Sequence, residues 1–388
     1  MHRKHPGQTV FSQVMARIPR WEFLRAYAVC DVRSPRSDAV SPRDHFLALS
    51  FAQMTFRESL RDIEACINAQ PGLAYQLGLR SMITRSGLAR ANEQRDWHPW
   101  EYLALTLMPK VRALYADEPN ALELDVPIIA VDSSLIDLSF ALCPWANWTG
   151  TDAAIKLHAA LDLRGPIPAF INFTPASYGD ACWLDELPIE PGAFYLMDRG
   201  YIDFRRLRRI ADAGAFFVIR DRPDLRYYVV ASRSVDRSTS LRADQSIRLN
   251  GSDAPKHWPG LLRRVSIYDV DHSRRLAFWT NQWSLSAGTI AALYRNRWQI
   301  ELFFRWLKHE LRIRTFYGTT SNAVHLQLWA SICTYLAIAI TRKQLGIATN
   351  LTTFVQVLSL HAISKTPIVE LFADTHTKKK SLRYTTHR

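Results

Sequence analysis

A series of strand-like and helix-like segments between residues 126 and 220 constrains the fold of this chain more than any other feature. Three apolar stretches of strand-like composition follow one another at 126–132, 154–163 and 168–174. A short helix candidate (DACWLDEL), a strand (FYLMD), an amphipathic helix (DFRRLRRIADAG) ending at Gly214 and a last strand (AFFVIR) complete the series. The order βββ-α-β-α-β predicts an α/β domain.

The segments on either side of this series have other patterns. Residues 1–120 show helical apolar spacing with few strand-like runs. Short β segments fill about 221–284, and a long helix is expected from about 286 to 312, with further helices and a basic tail behind it. We therefore expect three domains: helical at 1–120, α/β at 121–320 with a β-rich insertion at about 221–284, and C-terminal helices with the tail at 321–388.

Two aspartates end apolar strand candidates. Asp132 closes IIAVD and precedes two serines, and Asp198 closes FYLMD and precedes Arg199. An acidic residue at the end of a buried strand costs desolvation energy unless a partner compensates. Two such aspartates on strands of one sheet indicate a shared functional role, although a single aspartate at a strand end is more often a turn residue or a helix cap.

A third carboxylate lies in the stretch YRNRWQIELFFRWLK at 294–308. The apolar residues of this stretch fall on one side of a helix. Tyr294, Arg297, Glu301 and Lys308 fall within roughly 60° of one another on the other side, at about 100° per residue. Because Arg297 and Glu301 stand four residues apart, an ion pair on a solvated face explains the same pattern.

If this helix packs beside the sheet, Glu301 can reach Asp132 and Asp198. Three converging carboxylates repel one another unless cations lie between them, and hard oxygen ligands select magnesium or manganese. Two such ions can activate an attacking oxygen and stabilise a leaving oxygen at phosphorus. Arg297 and Lys308 would then have phosphates to bind.

Composition agrees with a polyanion as partner. The net charge of +13 attracts nucleic acid, anionic membrane or acidic protein without choosing among them. The five cysteines are scattered and never form a CxxC pair, which argues against a disulfide framework or a zinc site and suits a reducing cytoplasm. We expect no signal peptide at the N-terminus, and we read the apolar run LQLWASICTYLAIAI as a buried core helix because it carries polar residues.

The spacing Tyr294-x2-Arg297-x3-Glu301-x6-Lys308 resembles the YREK signature of the bacterial insertion-sequence transposases of the IS-four type. This four-residue signature is specific when both aspartates of the family's DDE triad accompany it.

Asp132, in AVDSS, and Asp198, in MDRGY, resemble those two aspartates. The order of segments is similar to the family's ribonuclease H-like core, interrupted by a β-rich insertion, over roughly residues 125–315. The helical N-terminal part resembles the leading, DNA-binding domain of many of these transposases.

The resemblance implies a DNA transposase that binds the terminal inverted repeats of its insertion sequence. It implies metal-dependent strand cleavage and strand transfer by a cut-and-paste route through a hairpin. Asp132, Asp198 and Glu301 would be the catalytic ligands of two magnesium ions, with manganese as a substitute. Four further residues would bind DNA: Tyr294, Arg297, Lys308 and Arg199.

The implied partners are double-stranded DNA, as terminal repeats and as target, and a second copy of the chain in a homodimer on paired ends. No membrane partner is expected, and the protein would act in the bacterial cytoplasm, at the nucleoid when bound to DNA. Two other functions stay open: a stand-alone ribonuclease H-like nuclease, and a catalytically inactive DNA-binding regulator.

Several positions allow two interpretations from the sequence. Residues 73–95 fit a DNA-recognition helix-turn-helix, with Thr84 or Ser86 as the helix cap, or an ordinary helical hairpin. Lys156 and His158 share one strand face, near the metals or on a polar surface. Three tryptophans could stack on a flipped base or belong to the core: Trp258, Trp279 and Trp283.

Overall fold

The computed structural model describes residues 7–32, 40–120, 122–311 and 316–373. The predicted basic tail lies outside the described residues. The chain divides into two compact units: unit 1 comprises residues 1–114, 137–153 and 305–388, and unit 2 comprises 115–136 and 154–304. Whether the three predicted segments fold as separate domains stays a prediction.

Within the described residues, unit 2 is built on one nine-stranded sheet. Its strands are β1 (Ile128–Leu138), β2 (Ala153–Asp162), β3 (Ile167–Pro175), β4 (Phe194–Met197), β5 (Phe216–Arg220), β6 (Tyr227–Arg233), β7 (Leu241–Leu249), β8 (Leu261–Asp269) and β9 (Arg274–Thr280). The spatial order is β3-β2-β1-β4-β5-β9-β8-β7-β6.

The first five strands form the predicted ribonuclease H-like arrangement. Their order is 3-2-1-4-5, with β1, β4 and β5 parallel to one another and β2 antiparallel to β3. Strand β4 is buried at every position, as expected for a continuous apolar run at the centre of a parallel sheet. The predicted α/β fold class is confirmed.

The β-rich insertion extends the same sheet. Strands β6 to β9 pair antiparallel in sequence order, and β9 joins the insertion to β5 through the pairs Val218–Thr280 and Ile219–Trp279. Strand β7 was absent from the sequence prediction, because LRADQSIRL contains too many charged residues to resemble a strand core.

The described helices in chain order are α1 (Val10–Met15), α2 (Arg20–Val29), α3 (Pro42–Met54), α4 (Leu60–Ile67), α5 (Leu73–Gln76), α6 (Arg85–Gln94), α7 (His98–Leu114), α8 (Asp180–Trp183), α9 (Phe204–Asp212), α10 (Ala254–His257), α11 (Ala287–Asn296), α12 (Gln299–Glu310), α13 (Ser321–Gln344) and α14 (Leu351–Leu360). Helices α1 to α7, α13 and α14 lie in unit 1, and α8 to α11 in unit 2. The chain passes from unit 2 to unit 1 within α12.

Helix α13 is the core of unit 1 and packs against α3 and α7. Among the described residues it is the one helix long and apolar enough to cross a membrane, and 94% of its most apolar window is buried inside the protein. Side chains such as Trp329 and Leu336 are almost fully buried. The prediction of a buried core helix is confirmed.

The core of unit 2 lies on both sides of the central strands and contains large aromatic side chains. Trp183, Tyr195, Phe217 and Trp279 are fully buried. On the predicted amphipathic helix α9, one apolar face is buried and arginines occupy the rest.

Candidate active site

Asp132 and Asp198 lie side by side on neighbouring parallel strands. The register of β1 and β4 pairs Val131 with Met197, so the next residue on each strand is one of the two aspartates. Since paired strands lie about 4.8 Å apart, this register brings both carboxylates to one place.

Strand β1 does not end at Asp132, and that part of the prediction is wrong. Its first four residues are buried, residues 132–135 are half-buried, and the strand then continues through the buried Ile136 and the exposed Asp137 to Leu138. The apolar signal stops at Val131 although the extended backbone does not. Asp132 therefore sits where β1 leaves the core.

Strand β4 ends at Met197, and Asp198 follows it directly, before a 3₁₀ turn, Arg199–Tyr201. Its side chain makes no capping hydrogen bond to this turn, which excludes the cap interpretation for Asp198. The hydroxyl of Tyr294 instead donates to Asp198 Oδ1 over 3.4 Å. A residue of the predicted signature thus contacts the second aspartate.

The predicted single helix at 286–312 is wrong, because it is interrupted between α11 and α12. The amide of Arg297 donates to Tyr294 O (3.0 Å), that of Ile300 to Arg297 O (3.1 Å) and that of Glu301 to Trp298 O (3.0 Å). These i→i−3 bonds tighten the backbone into a 3₁₀-like turn. Arg297 lies on this turn rather than on a uniform helical face.

Arg297 bridges two of the three carboxylates. Its Nη1 donates to Asp132 Oδ2 at 2.7 Å, and its Nη2 donates to Glu301 Oε1 at 2.6 Å. The Arg297 and Asp132 side chains are 14% and 21% exposed, whereas Glu301 is 55% exposed. The ion-pair interpretation of the helix face therefore holds for Arg297 and Glu301, but the same guanidinium also binds a strand 165 residues away.

The electrostatics of this group indicate three mutually close carboxylates. Burial is the main reason that the pKa of Asp132 is raised to about 6; Arg297 and the Ser133 amide oppose this rise, and the carboxylates of Glu301 and Asp198 add to it. Burial raises the pKa of Tyr294 to about 12, with Arg297 opposing and Asp198 adding to the shift. Burial by itself lowers the pKa of Arg297, but Tyr294 and the two carboxylates outweigh it, so that this pKa is raised.

A second layer of polar residues holds Asp132 in place, and of these residues only Lys156 was a candidate from the sequence. The Ser133 amide donates to Asp132 Oδ1 at 2.9 Å, and Ser133 Oγ donates to Asp180 Oδ1 at 2.8 Å. Lys156 Nζ donates to the same Asp180 oxygen (3.1 Å) and to Tyr178 O (2.7 Å). Asp180 opens the short helix α8, so its only sequence signal was the start of a helix candidate.

Lys156 therefore reaches the site through Asp180, whereas His158 does not. His158 is buried, bonded to Thr174 (2.9 Å) and stacked on Trp183 with ring centroids 5.2 Å apart. Burial lowers its pKa to about 4.

Two other predicted DNA-binding residues, Arg199 and Lys308, are close in the sequence to Asp198 and Glu301. Arg199 is exposed directly after Asp198. Lys308 is half-buried in the last turn of α12.

The three candidate tryptophans differ in exposure. Trp258 and Trp279 are buried, so the core interpretation is correct for both. Trp283 is 40% exposed, and the guanidinium of Arg233 lies 5.3 Å from its ring centroid.

In unit 1, Thr84 is the predicted cap: its side chain accepts the amide of Gly87 at the start of α6. The preceding helix, α5, has only four residues. DNA recognition by this segment stays a prediction.

No three acidic, histidine or cysteine side chains among the described residues lie close enough together to hold a metal ion in their present positions. The positive charge of Arg297 occupies the space between Asp132 and Glu301. The donor set still fits a hard divalent cation, because it offers three carboxylates, one of them disfavoured as an anion by burial and by the other two.

Comparisons with known proteins agree on one family. The family model described as "Transposase DDE domain" matches residues 124–337. A second family model, a domain of unknown function (DUF4372), matches residues 6–80.

Three relatives carry names of the same kind. "Putative transposase y4zB" of Sinorhizobium fredii is 36% identical over 217 residues, which are 55% of this chain and 60% of that protein. "Probable transposase for insertion sequence element IS5377" of Geobacillus stearothermophilus is 30% identical over 64% of this chain and 68% of its own length. "Putative transposase for insertion sequence element IS4SA" of Synechocystis is 23% identical over 67% of this chain and 75% of its own length. The chain thus spans about 60% of the first relative.

The solved structure "Cryo-EM structure of piggyBac transposase synaptic complex with hairpin DNA (SNHP)" superposes with a TM-score of 0.47 at 10% identity, over 97% of this chain and 82% of that chain. That likeness is too weak to carry an argument.

Proposed function

The chain belongs to the transposases with a DDE domain, and we propose that it cleaves DNA at the terminal inverted repeats of its own insertion sequence and joins the ends to target DNA. The proposal includes a cut-and-paste route through a hairpin, and a homodimer that holds two ends together in the cytoplasm. It also keeps the assignment to the IS-four type.

One observation carries the proposal. The β1–β4 register sets Asp132 beside Asp198, and the guanidinium of Arg297 ties Asp132 to Glu301. Three acidic residues that are distant in the sequence are thus linked, two by strand pairing and two by a shared guanidinium, at the carboxyl ends of the central strands β1 and β4. A purely structural ion pair would not require the two adjacent aspartates.

Asp132, Asp198 and Glu301 would hold divalent metal ions, magnesium or manganese, through their carboxylate oxygens. Such ions, when bound, activate an attacking oxygen and stabilise the leaving oxygen at phosphorus. We assign two ions to the site by analogy with that chemistry.

The chain's own residues supply positioning and charge. Arg297 presents a planar guanidinium beside the carboxylates, suited to bidentate binding of a DNA phosphate. Tyr294, on Asp198, orients that carboxylate and offers a ring to the strand. Arg199 and Lys308 would contact the backbone. Asp180 and Lys156 act through Ser133 to fix Asp132.

The test is cleavage of duplex DNA carrying the element's own ends, taken from the flanks of the gene, with magnesium or manganese. We compare the wild type with Glu301→Ala and Glu301→Gln. The matched control is Glu310→Gln, nine residues further along α12 and so on the opposite helix face at about 100° per residue. We expect cleavage that requires metal, is lost in both Glu301 variants and persists in the control, while end binding persists in all.

Other outcomes favour the alternatives. Cleavage without joining would indicate a nuclease. Tight end binding without cleavage by any variant would indicate an inactive DNA-binding regulator. Undiminished cleavage by Glu301→Gln would remove Glu301 from the chemistry.

A further inference from the structure

A cavity of about 630 Å³ lies in the N-terminal part of unit 1, entirely within the residues matched by the domain of unknown function. Its walls come from α1, from the start of α3 and from the turn that follows α5. The volume is in the range of pockets that hold a small ligand.

Positive charge dominates this cavity. Arg43 and Arg80 both line it, and no acidic side chain does among the residues that the structure describes. Asp44, next to Arg43 in the sequence, is buried, and its Oδ1 accepts the backbone amide of Arg80 at 3.2 Å. Asp44 therefore offsets only part of the charge.

Arg43 makes no side-chain hydrogen bond or ion pair with any other residue in the described part of the chain. Its side chain is half-buried in the cavity wall. Burial, and after it the positive charge of Arg20, lowers the pKa of Arg43, with Arg80 contributing in the same direction and Asp44 opposing. A guanidinium that is partly desolvated and surrounded by like charges is stabilised by an anion.

The rest of the cavity fits more than a bare anion. Met15, Leu47 and Leu79 give it an apolar wall, and Gln8 adds a polar side chain. Tyr75, which also lines the cavity, is 82% exposed and presents its ring to solvent.

We propose that this cavity binds a phosphate group of the DNA backbone on Arg43 and Arg80. Guanidinium groups bind phosphate oxygens with charge-assisted hydrogen bonds. The choice of DNA as the source of the phosphate rests on the proposed function, whereas the anion site itself does not. The segment matched by the domain of unknown function would thus anchor the transposase to its DNA backbone.

The test uses the full-length chain in EDTA, so that no cleavage occurs. Binding of a fluorescent 30-base-pair duplex of random sequence is measured by anisotropy at several salt concentrations. The variants are the double variant Arg43→Gln with Arg80→Gln, and the control Arg61→Gln, an exposed arginine of α4 outside the cavity.

We expect the double variant to bind about tenfold more weakly and the slope of log affinity against log salt to fall by about one, since one lost phosphate contact removes roughly 0.9 from it. Arg61→Gln should leave the slope near that of the wild type. Thermal melting should show the double variant at least as stable as the wild type, because like charges have been removed. An unchanged slope in this folded variant overturns the proposal.

Titration with inorganic phosphate separates the two sources of the ligand. Loss of both phosphate and duplex binding in the double variant supports a DNA site. Loss of phosphate binding with unchanged duplex binding means that the cavity takes a free anion and overturns the DNA assignment. Because these assays need no catalysis, the cavity can be supported even if the Glu301 variants still cleave, so the two proposals fail separately.

Discussion

Replacing Arg297 by glutamine should make the protein bind divalent metal more tightly. In the structure the guanidinium holds the Asp132 and Glu301 carboxylates that the proposed ions require. Metal and Arg297 therefore compete for the same oxygens. Glutamine is too short to reach both carboxylates and carries no charge. The Asp132 and Glu301 carboxylates of the variant would therefore be free to bind a metal ion.

The structure sets the size of this effect. Hydrogen bonds to charged groups contribute about 1.5–3 kcal/mol, and the Arg297–Asp132 bond joins side chains only 14% and 21% exposed. The Arg297–Glu301 pair adds less than about 1 kcal/mol, because Glu301 is 55% exposed and water screens the pair. Displacing Arg297 thus costs about 2–3 kcal/mol, which corresponds to a tightening of roughly 30- to 150-fold in the variant.

The assay is titration of the DNA-free protein with Mn²⁺, followed by the electron paramagnetic resonance signal of the free ion. Arg295→Gln is the matched control, since it removes the same charge from an exposed neighbour that contacts Ser240 (3.4 Å) and not the carboxylates. Equal or weaker Mn²⁺ binding by Arg297→Gln would refute the competition. Tighter Mn²⁺ binding together with slower DNA cleavage would separate the role of Arg297 towards phosphate from its role towards the carboxylates.

Three further predictions concern positioning, pH and packing. Asp180→Asn keeps the shape of the Ser133 contact but loses the negative charge opposite Lys156. DNA cleavage should therefore slow by about tenfold, while binding of the element's ends, measured by anisotropy, stays unchanged. An undiminished cleavage rate would contradict the positioning role of Asp180. Burial lowers the pKa of His45 to about 3, below the value of about 6.5 in the unfolded chain. The neutral, buried His45 therefore contributes fully to the free energy of unfolding above pH 6.5. Below that pH the contribution falls by up to about 1.4 kcal/mol per pH unit towards pH 3. Urea unfolding at pH 7, 6 and 5 should show a flatter decline in His45→Gln than in the wild type. Trp279→Ala empties the centre of unit 2 and should cost about 3–5 kcal/mol in urea unfolding, whereas a cost below about 1 kcal/mol would mean that Trp279 is not a core residue.

The sequence predicted the five central strands and their helices because those signals are local. A strand buried on both faces, such as β4, is a short continuous apolar run, and α9 shows an amphipathic period followed by Gly214 at a φ of +74°. The fold class followed from the order of these segments. Strand β7 was not predicted, because its extended conformation is set by pairing with β6 and β8 and its sequence has no apolar strand pattern.

The candidate site was predictable only in part. Asp132 and Asp198 stand at the point where an apolar run stops, which is visible in sequence. The interruption between α11 and α12 is not, because the residues around Arg297 have the composition of a continuous helix and the turn is set by i→i−3 backbone bonds. Asp180 was missed for a similar reason: its partner Ser133 lies 47 residues away.

The position of Arg297 links two properties that the sequence presents separately, a basic chain and an acidic site. A guanidinium on the Asp132 and Glu301 carboxylates neutralises them while no ion is bound, so the partly buried Asp132 need not lose its charge. A DNA phosphate offers the same guanidinium an alternative partner. If Arg297 moves to the phosphate, the carboxylates are released for metal, and by thermodynamic linkage a bound metal must strengthen the binding of DNA by the same factor. Arg297 would thereby couple metal binding at these carboxylates to the binding of substrate DNA.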